Sequence, residues 1–271
     1  MSEIKLTTEH LDEILASKKK VIGFYGAPPV EALNEAAKKY PGVPFFDLDV
    51  YFNAPQTKIL PDAFCHIIRN IVDNSFLLRS QMVSLVAATG EEKCDSGRYA
   101  ASLLKNAGLK DVVFTVNHNK TVLNNPFLCV AKGSLKKRSI RIMESIIEPL
   151  TPEEIEAAKK NVCTPVAGFW GTPPHPIEVL DLFPDETHIY GWTRCVEMGV
   201  PADLQLEKTV PDNIPTIFFA QGFCAKSLIA RELAAKHRGM YVDTHEGLNA
   251  AIRAKIEAFL RLSRNDREGI I

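Results

Sequence analysis

The sequence predicts an α/β protein made of two halves, each with a mainly parallel sheet. Three observations lead there. Apolar runs of strand length alternate with amphipathic segments of helix length along the whole chain. A stretch of apolar residues, glycine and paired prolines occurs twice, as GFYGAPP at 23–29 and GFWGTPP at 168–174. Each is followed by a second apolar run closed by glycine, VSLVAATG at 83–90 and TIFFAQG at 216–222.

The elements follow in order. Residues 8–18 read as an amphipathic helix capped by Thr7 or Thr8. Val21–Tyr25 is a continuous apolar run, as a strand buried on both faces requires. Pro28 and Pro29 open a helix over Val30–Lys39, because proline's missing N–H has no partner in a first helical turn. A strand at 44–49, a helix at 62–73, a strand over Met82–Ala88, a helix at 96–106 closed by Gly108 and a strand at 111–116 complete the first half. Residues 127–131 read as a further strand, and Ser134 caps a helix reaching about residue 147. Thr151-Pro152-Glu153-Glu154 is a capping box, and its helix to Lys160 connects the halves. The second half gives a strand at 165–170, a helix beginning over Ile177–Leu182, a strand at 188–192 and a strand over Thr216–Ala220. A helix at 225–237 stopped by Gly239, a strand over Met240–Asp243, a helix at 245–262 and a polar tail end the chain.

The expected domains are 1–150 and 151–271, with the boundary near 150–163. The match between halves is local. Gly26 to Gly90 spans 64 residues (90 − 26) and Gly171 to Gly222 spans 51 (222 − 171). A diverged internal pseudo-repeat, giving two Rossmann-like halves with ligands bound in a cleft at their strand ends, accounts for this. The alternative is one continuous doubly wound sheet with two look-alike turns.

Composition narrows the function classes. The 271 residues carry a formal net charge of −1, with 46% hydrophobic and 24% charged residues. That suits a globular chain with a sizeable core. Nucleic acid is not an expected partner, since no broad basic surface is available for counterion release. The short clusters at 18–20 and 136–138 read as solvated helix ends. No apolar run reaches the ~18 residues of a membrane span, and no secretory signal is read at the N-terminus. Cys65, Cys94, Cys129, Cys163, Cys195 and Cys224 form no CxxC pair and no zinc-finger spacing. They read as mostly buried, reduced thiols of a cytoplasmic protein. A homo-oligomer is left open, and a small-molecule substrate is the expected partner.

Several loops could carry chemistry. The paired prolines delete N–H donors at two helix starts, so the turns at Gly26 and Gly171 are poor phosphate cradles. Their expected work is to shape the chain and present Tyr25, Trp170, Thr172 or His175. The loop Gly222-Phe223-Cys224-Ala225-Lys226-Ser227 has no proline and carries a lysine. Asp243 lies 21 residues past Gly222, and Asp47 lies 21 residues past Gly26. An acid at such a place holds a ribose hydroxyl in a nucleotide-binding βαβ unit. The full GxGxxG and GxxxxGK[ST] patterns are absent. His245 is a candidate acid or base, set against a capping role for its neighbour Thr244. Asp47 and Asp49, at i and i+2 on a strand, would point the same way and could share a divalent metal. Cys94 and Cys224 each sit near a helix start, where thiolates are favoured.

Some of these motifs resemble known families. Asp47-Leu48-Asp49 resembles the DxD of many sugar transferases, which implies a metal-diphosphate handle. Asp47-Leu48-Asp49-Val50 also resembles the first motif of haloacid-dehalogenase-like phosphatases, with Thr89 as the next motif and no late acidic pair. Cys94 and Cys224 resemble the plan of cofactor-independent aspartate/glutamate racemases, although KCDSG and GFCAKS stand where those enzymes have CNT- and GCT-like loops. Residues 222–245 look like the late βαβ of certain bacterial glycosyltransferases. The expectation is a transferase using a nucleotide-containing donor, a nucleotide sugar or an S-adenosylmethionine-like molecule. Gly222, Lys226 and Asp243, with the turns at Gly26 and Gly171, would hold the donor. His245, Asp47 and Asp49 would serve as acid, base or metal ligand, with the Cys94-Asp95-Ser96 loop facing them. A two-cysteine isomerase or lyase and a non-catalytic binding protein are the alternatives.

Overall fold

The computed structural model describes residues 7, 11–51, 57–116, 125–237, 239–244 and 247–268. The chain forms two compact units, one of residues 1–121 with 146–149, the other of 122–145 with 150–271.

The first unit runs α1 (Leu11–Ser17), β1 (Val21–Tyr25), α2 (Val30–Lys39), β2 (Phe45–Asp47), α3 (His66–Leu77), β3 (Met82–Ala88), α4 (Asp95–Asn106) and β4 (Val112–Thr115). Its four strands lie in the order β2-β1-β3-β4, all parallel. The period-two geometry of a strand explains why β1 has no polar alternation. Ile22 and Phe24 pack with Leu33, Ala36 and Ala37 of α2 and with Ile147. Val21 and Tyr25 face the other way, onto α1, α3 and α4 through Ile14, Ile71 and Ala101.

The second unit contains α5 (Leu135–Glu144), α6 (Pro152–Lys160), β5 (Ala167–Trp170), a 3-10 turn over Ile177–Leu182, β6 (Thr187–Tyr190), α7 (Trp192–Glu197) and α8 (Leu204–Lys208). β7 (Thr216–Ala220), α9 (Lys226–Lys236), β8 (Met240–Asp243) and α10 (Ala250–Glu268) follow. This sheet is also parallel, in the order β6-β5-β7-β8. Each sheet therefore has the same order by strand rank, two-one-three-four. The chain leaves the first strand to one side and returns to the other, so β1 with β3, and β5 with β7, flank a topological switch point.

The glycines of the two double-proline turns are fixed by geometry. Gly26 has φ +64° and a Cβ there would come within 2.9 Å of the Ala88 Cβ. Gly171 has φ +146°, and its Cβ would lie 2.6 Å from the Phe219 carbonyl oxygen. Both conformations suit glycine, and both turns press on the neighbouring strand.

The structure departs from the sequence expectations in specific places. Residues 127–131 are not a strand: the N–H groups of Phe127, Leu128 and Cys129 all donate to the Glu197 carboxylate, at 2.9, 2.7 and 2.9 Å. Successive strand amides point to opposite sides, so this convergence demands the tight 3-10 turn observed over Leu128–Val130. α5 packs on β6, α7 and the Ile177–Leu182 turn, and so lies with the second unit rather than before a boundary at 150. α3 starts at His66, later than expected, because Arg69 binds Asp62 through both its carbonyl and its carboxylate and fixes a turn ahead of the helix. Gly191, with φ +71°, turns the chain into α7 and ends β6 at Tyr190.

The basic cluster at 136–138 is not simply a solvated helix end. Arg138 is buried and donates to the carbonyls of Leu128, Gly133, Asp185 and Thr187. Of the six thiols, Cys129 and Cys195 are buried, Cys65, Cys163 and Cys224 are half-buried, and Cys94 is exposed. No described helix is long and apolar enough to cross a membrane.

Candidate functional site

At the carboxyl end of the first sheet, β1 stops at Tyr25 and β2 at Asp47, with Phe24 and Asp47 in register. The Leu48 N–H donates to the Phe24 carbonyl at 2.8 Å, which extends the ladder by one residue. Asp49 lies just past the strand. Its Oδ2 accepts the Gly26 N–H at 2.6 Å, and its own N–H donates to Asp47 Oδ1 at 2.9 Å. Each of the two carboxylates thus commits an oxygen to a backbone amide.

Two asparagines of α3 hold this segment in place. Asn70 Nδ2 donates to the carbonyls of Leu48, Asp49 and Val50 at 3.3, 3.0 and 2.9 Å. Asn74 Nδ2 donates to those of Leu48 and Val50 at 3.1 and 3.0 Å. The i,i+4 spacing puts both amides on one helix face. Carbonyls beyond the strand end, which the ladder no longer satisfies, find their partners there.

The electrostatics are unusual. Asp49 Oδ1 is buried without a hydrogen-bond partner. Burial pushes the Asp49 carboxyl up to about 6, against the opposing effect of the Gly26 N–H. Asp47 is pushed well above the ordinary carboxylate range, by burial first and by Asp49 second. Tyr25 is held far above its usual value by burial, then by Asp49, with a smaller effect of Cys94. The Tyr25 hydroxyl donates to the Gly97 carbonyl at 2.6 Å and so ties β1 to the first turn of α4. Cys94, exposed, is the N-cap residue of that helix. The tip of the first sheet therefore brings Tyr25, Gly26, Asp47, Asp49 and Cys94 together. Among the described residues no group of three or more histidines, cysteines and carboxylates could hold a metal ion.

The tip of the second sheet is built differently. Gln221, the residue after β7, is buried. Its Oε1 accepts the His175 N–H at 2.9 Å, and its Nε2 donates to the carbonyls of His175 and Thr244, each at 3.4 Å. The Thr244 hydroxyl also donates to the His175 carbonyl, at 3.0 Å. The turn after Gly171 is thereby laced to the ends of β7 and β8, across that sheet's switch point. Gly222 follows, buried, then Phe223 with φ +57° and the half-buried Cys224.

Lys226, the first residue of α9, is paired with both oxygens of Glu207 at 2.7 and 2.5 Å. The Glu207 side chain is 1% exposed, and the backbone of that residue accepts the Trp170 indole N–H at 2.6 Å. Asp243, in register with Ala220, accepts the Tyr241 hydroxyl at 3.2 Å through Oδ2, and its Oδ1 is buried without a partner. His245 lies outside the described residues. Trp170 and Tyr25 are core residues, 0% and 2% exposed, not groups presented at the surface.

Sequence reasoning missed Asn70, Asn74, Gln221, Glu207 and Glu197. The asparagine pair had a signal, two amides at helical spacing within the apolar run IIRNIVDN. The others are partners across long sequence separations and leave no local trace. The chain matches no protein-family model and no curated protein.

Proposed function

We propose that the protein is a transferase whose nucleotide-containing donor, a nucleotide sugar or an S-adenosylmethionine-like molecule, binds at the carboxyl end of the first sheet. One observation carries this reading: an anchored carboxylate, Asp49, sits against the Gly26 turn with its Oδ1 buried and unpartnered. A buried acceptor without a donor is costly. A ribose hydroxyl is the donor that an acid beside the first strand's turn receives in nucleotide-binding α/β proteins. The β1/β3 switch point alongside is where open parallel sheets take their ligands. In this reading Gly26 gives the donor close access to the backbone, Asp47 is the acid or base, and Cys94 lies on the acceptor side.

The Gly222 loop, Asp243 and the Gly171 turn form the corresponding tip of the second unit. Gln221 laces that tip shut and Glu207 engages Lys226, which favours the first unit as the donor site. The common strand order supports descent of the two units from one ancestral sheet.

A thermal-shift screen with UDP-glucose, ADP-ribose, S-adenosylmethionine and NAD tests the reading. A ligand at 100 times its Kd adds roughly 2.7 kcal/mol of stability. At least one should raise the melting temperature of the wild type and have a smaller effect on Asp49→Ala. Absence of a shift with all four contradicts the proposal.

A further inference from the structure

Between α5 and α6 the chain makes a short excursion. Both helices belong to the second unit, yet residues 146–149 belong to the first. Ile147 is 3% exposed and lies in the cluster of Ile22 and Phe24 from β1, Leu33, Ala36 and Ala37 from α2, Phe45 from β2 and Val86 from β3. Ile146, half-buried, packs against the same cluster. The excursion is clasped at its base. Arg141 of α5 donates to both oxygens of Glu154 of α6, from Nε at 2.6 Å and from Nη2 at 2.9 Å. The same carboxylate accepts the Thr151 N–H at 2.8 Å. Arg141 first, and then Thr151, hold the Glu154 carboxyl down at about 2, so the clasp is charged across the ordinary pH range. One side chain therefore grips the chain on either side of 146–149.

We propose that residues 146–149 are a strap through which the second unit sets the stability of the first sheet. Four residues leave little slack, so Ile147 stays seated only while the ends of α5 and α6 stay together. Fixing those ends in advance removes entropy that the insertion of Ile147 would otherwise cost. The cluster it completes rests on β1 and α2, the two elements joined by the Gly26 turn, so the strap steadies that turn as well. The inference needs no ligand and stands or falls separately from the donor reading.

The test is hydrogen exchange of the full chain, read in β1 and α2 for the first unit and in β7 and α9 for the second. Glu154→Gln keeps an oxygen for the Thr151 N–H and loses the charged pair with Arg141. It should lower protection of β1 and α2 about threefold, the size of a well-formed exposed pair, and leave β7 and α9 unchanged. Ile147→Ala should lower protection of β1 and α2 by roughly thirtyfold or more, as loss of a buried isoleucine does, with a much smaller effect on β7 and α9. Without Ile147 the clasp has nothing to seat, so adding Glu154→Gln to Ile147→Ala should change β1 and α2 no further. Where Ile147→Ala does not fold, Ile147→Val replaces it, with a loss of about threefold confined to β1 and α2. Unchanged protection of β1 and α2 in Glu154→Gln, a loss shared equally by β7 and α9, or a full Glu154→Gln effect persisting in Ile147→Ala overturns the proposal.

Discussion

Replacing Glu197 by glutamine should unfold the second unit far more easily than any exposed charge substitution. The Glu197 side chain is buried and receives three successive backbone N–H groups, two on Oε1 and one on Oε2. Glutamine keeps one oxygen and puts an NH2 where Oε2 stood, facing the Cys129 N–H. One bond is lost, a buried amide is left without an acceptor, and the other two bonds lose their charge assistance. Hydrogen bonds to charged groups are worth ~1.5–3 kcal/mol, and an orphaned buried donor costs ~1–3 kcal/mol. Together they give a loss of about 3 kcal/mol. The chain has two tryptophans, Trp170 and Trp192, and both belong to the second unit. Intrinsic fluorescence during urea unfolding therefore reports that unit alone. With a slope of roughly 2 kcal/mol per molar, the midpoint should fall by about 1.5 M. Glu178→Gln, which loosens an exposed 3.5 Å pair with Lys136, should change stability by less than about 0.5 kcal/mol. A Glu197→Gln midpoint within ~0.3 M of the wild type, at unchanged slope, would refute the reasoning.

Three further outcomes are expected. Asp49 is held up at about 6, so protonation favours the folded state. That contribution is complete below the unfolded value near 4 and is lost as pH rises through 6, at a cost of about 3 kcal/mol. Asp49→Asn should remove this dependence, so its stability relative to the wild type should rise between pH 4 and 7, read by amide exchange in β1 and β3. Lys226→Met should cost roughly 3–5 kcal/mol by stranding the buried Glu207 charge, and adding Glu207→Gln should recover most of it. Tryptophan fluorescence measures both, and a Lys226→Met protein as stable as the wild type would contradict a stabilising Lys226–Glu207 pair. Gly171→Ala should cost more than about 2 kcal/mol by the same assay, because an alanine there is strained and its Cβ meets the Phe219 carbonyl.

Much of the fold could be read from the chain because its signals are local. Apolar runs such as VIGFY and TIFFA need no partner to declare themselves strands, and the Thr151 capping box forms as its spacing predicts. The acids at the end of β2 were visible because they lie beside a strand end. What stayed hidden is whatever depends on a distant partner. The 3-10 turn at 128–130 is imposed by Glu197, nearly seventy residues later. Burial of Arg138 is repaid by carbonyls as far off as Thr187. The sequence offers Lys226 as a ligand-binding lysine and gives no sign of its pairing with Glu207, which carries no mark of where it folds. The paired glycine turns read alike, yet Asp49 holds one and Gln221 with Thr244 holds the other.

That Asp49 at the Gly26 turn receives a ribose is the proposal on which the functional reading rests. Its most direct test is calorimetric titration of UDP, 2′-deoxy-UDP, ADP and 2′-deoxy-ADP against the wild type, Asp49→Asn and Asp243→Asn. The wild type should bind at least one ribonucleotide about tenfold more tightly than its deoxy form, Asp243→Asn should keep that preference, and Asp49→Asn should lose it. An equal preference in Asp49→Asn, a loss confined to Asp243→Asn, or no binding of either ribonucleotide would contradict it.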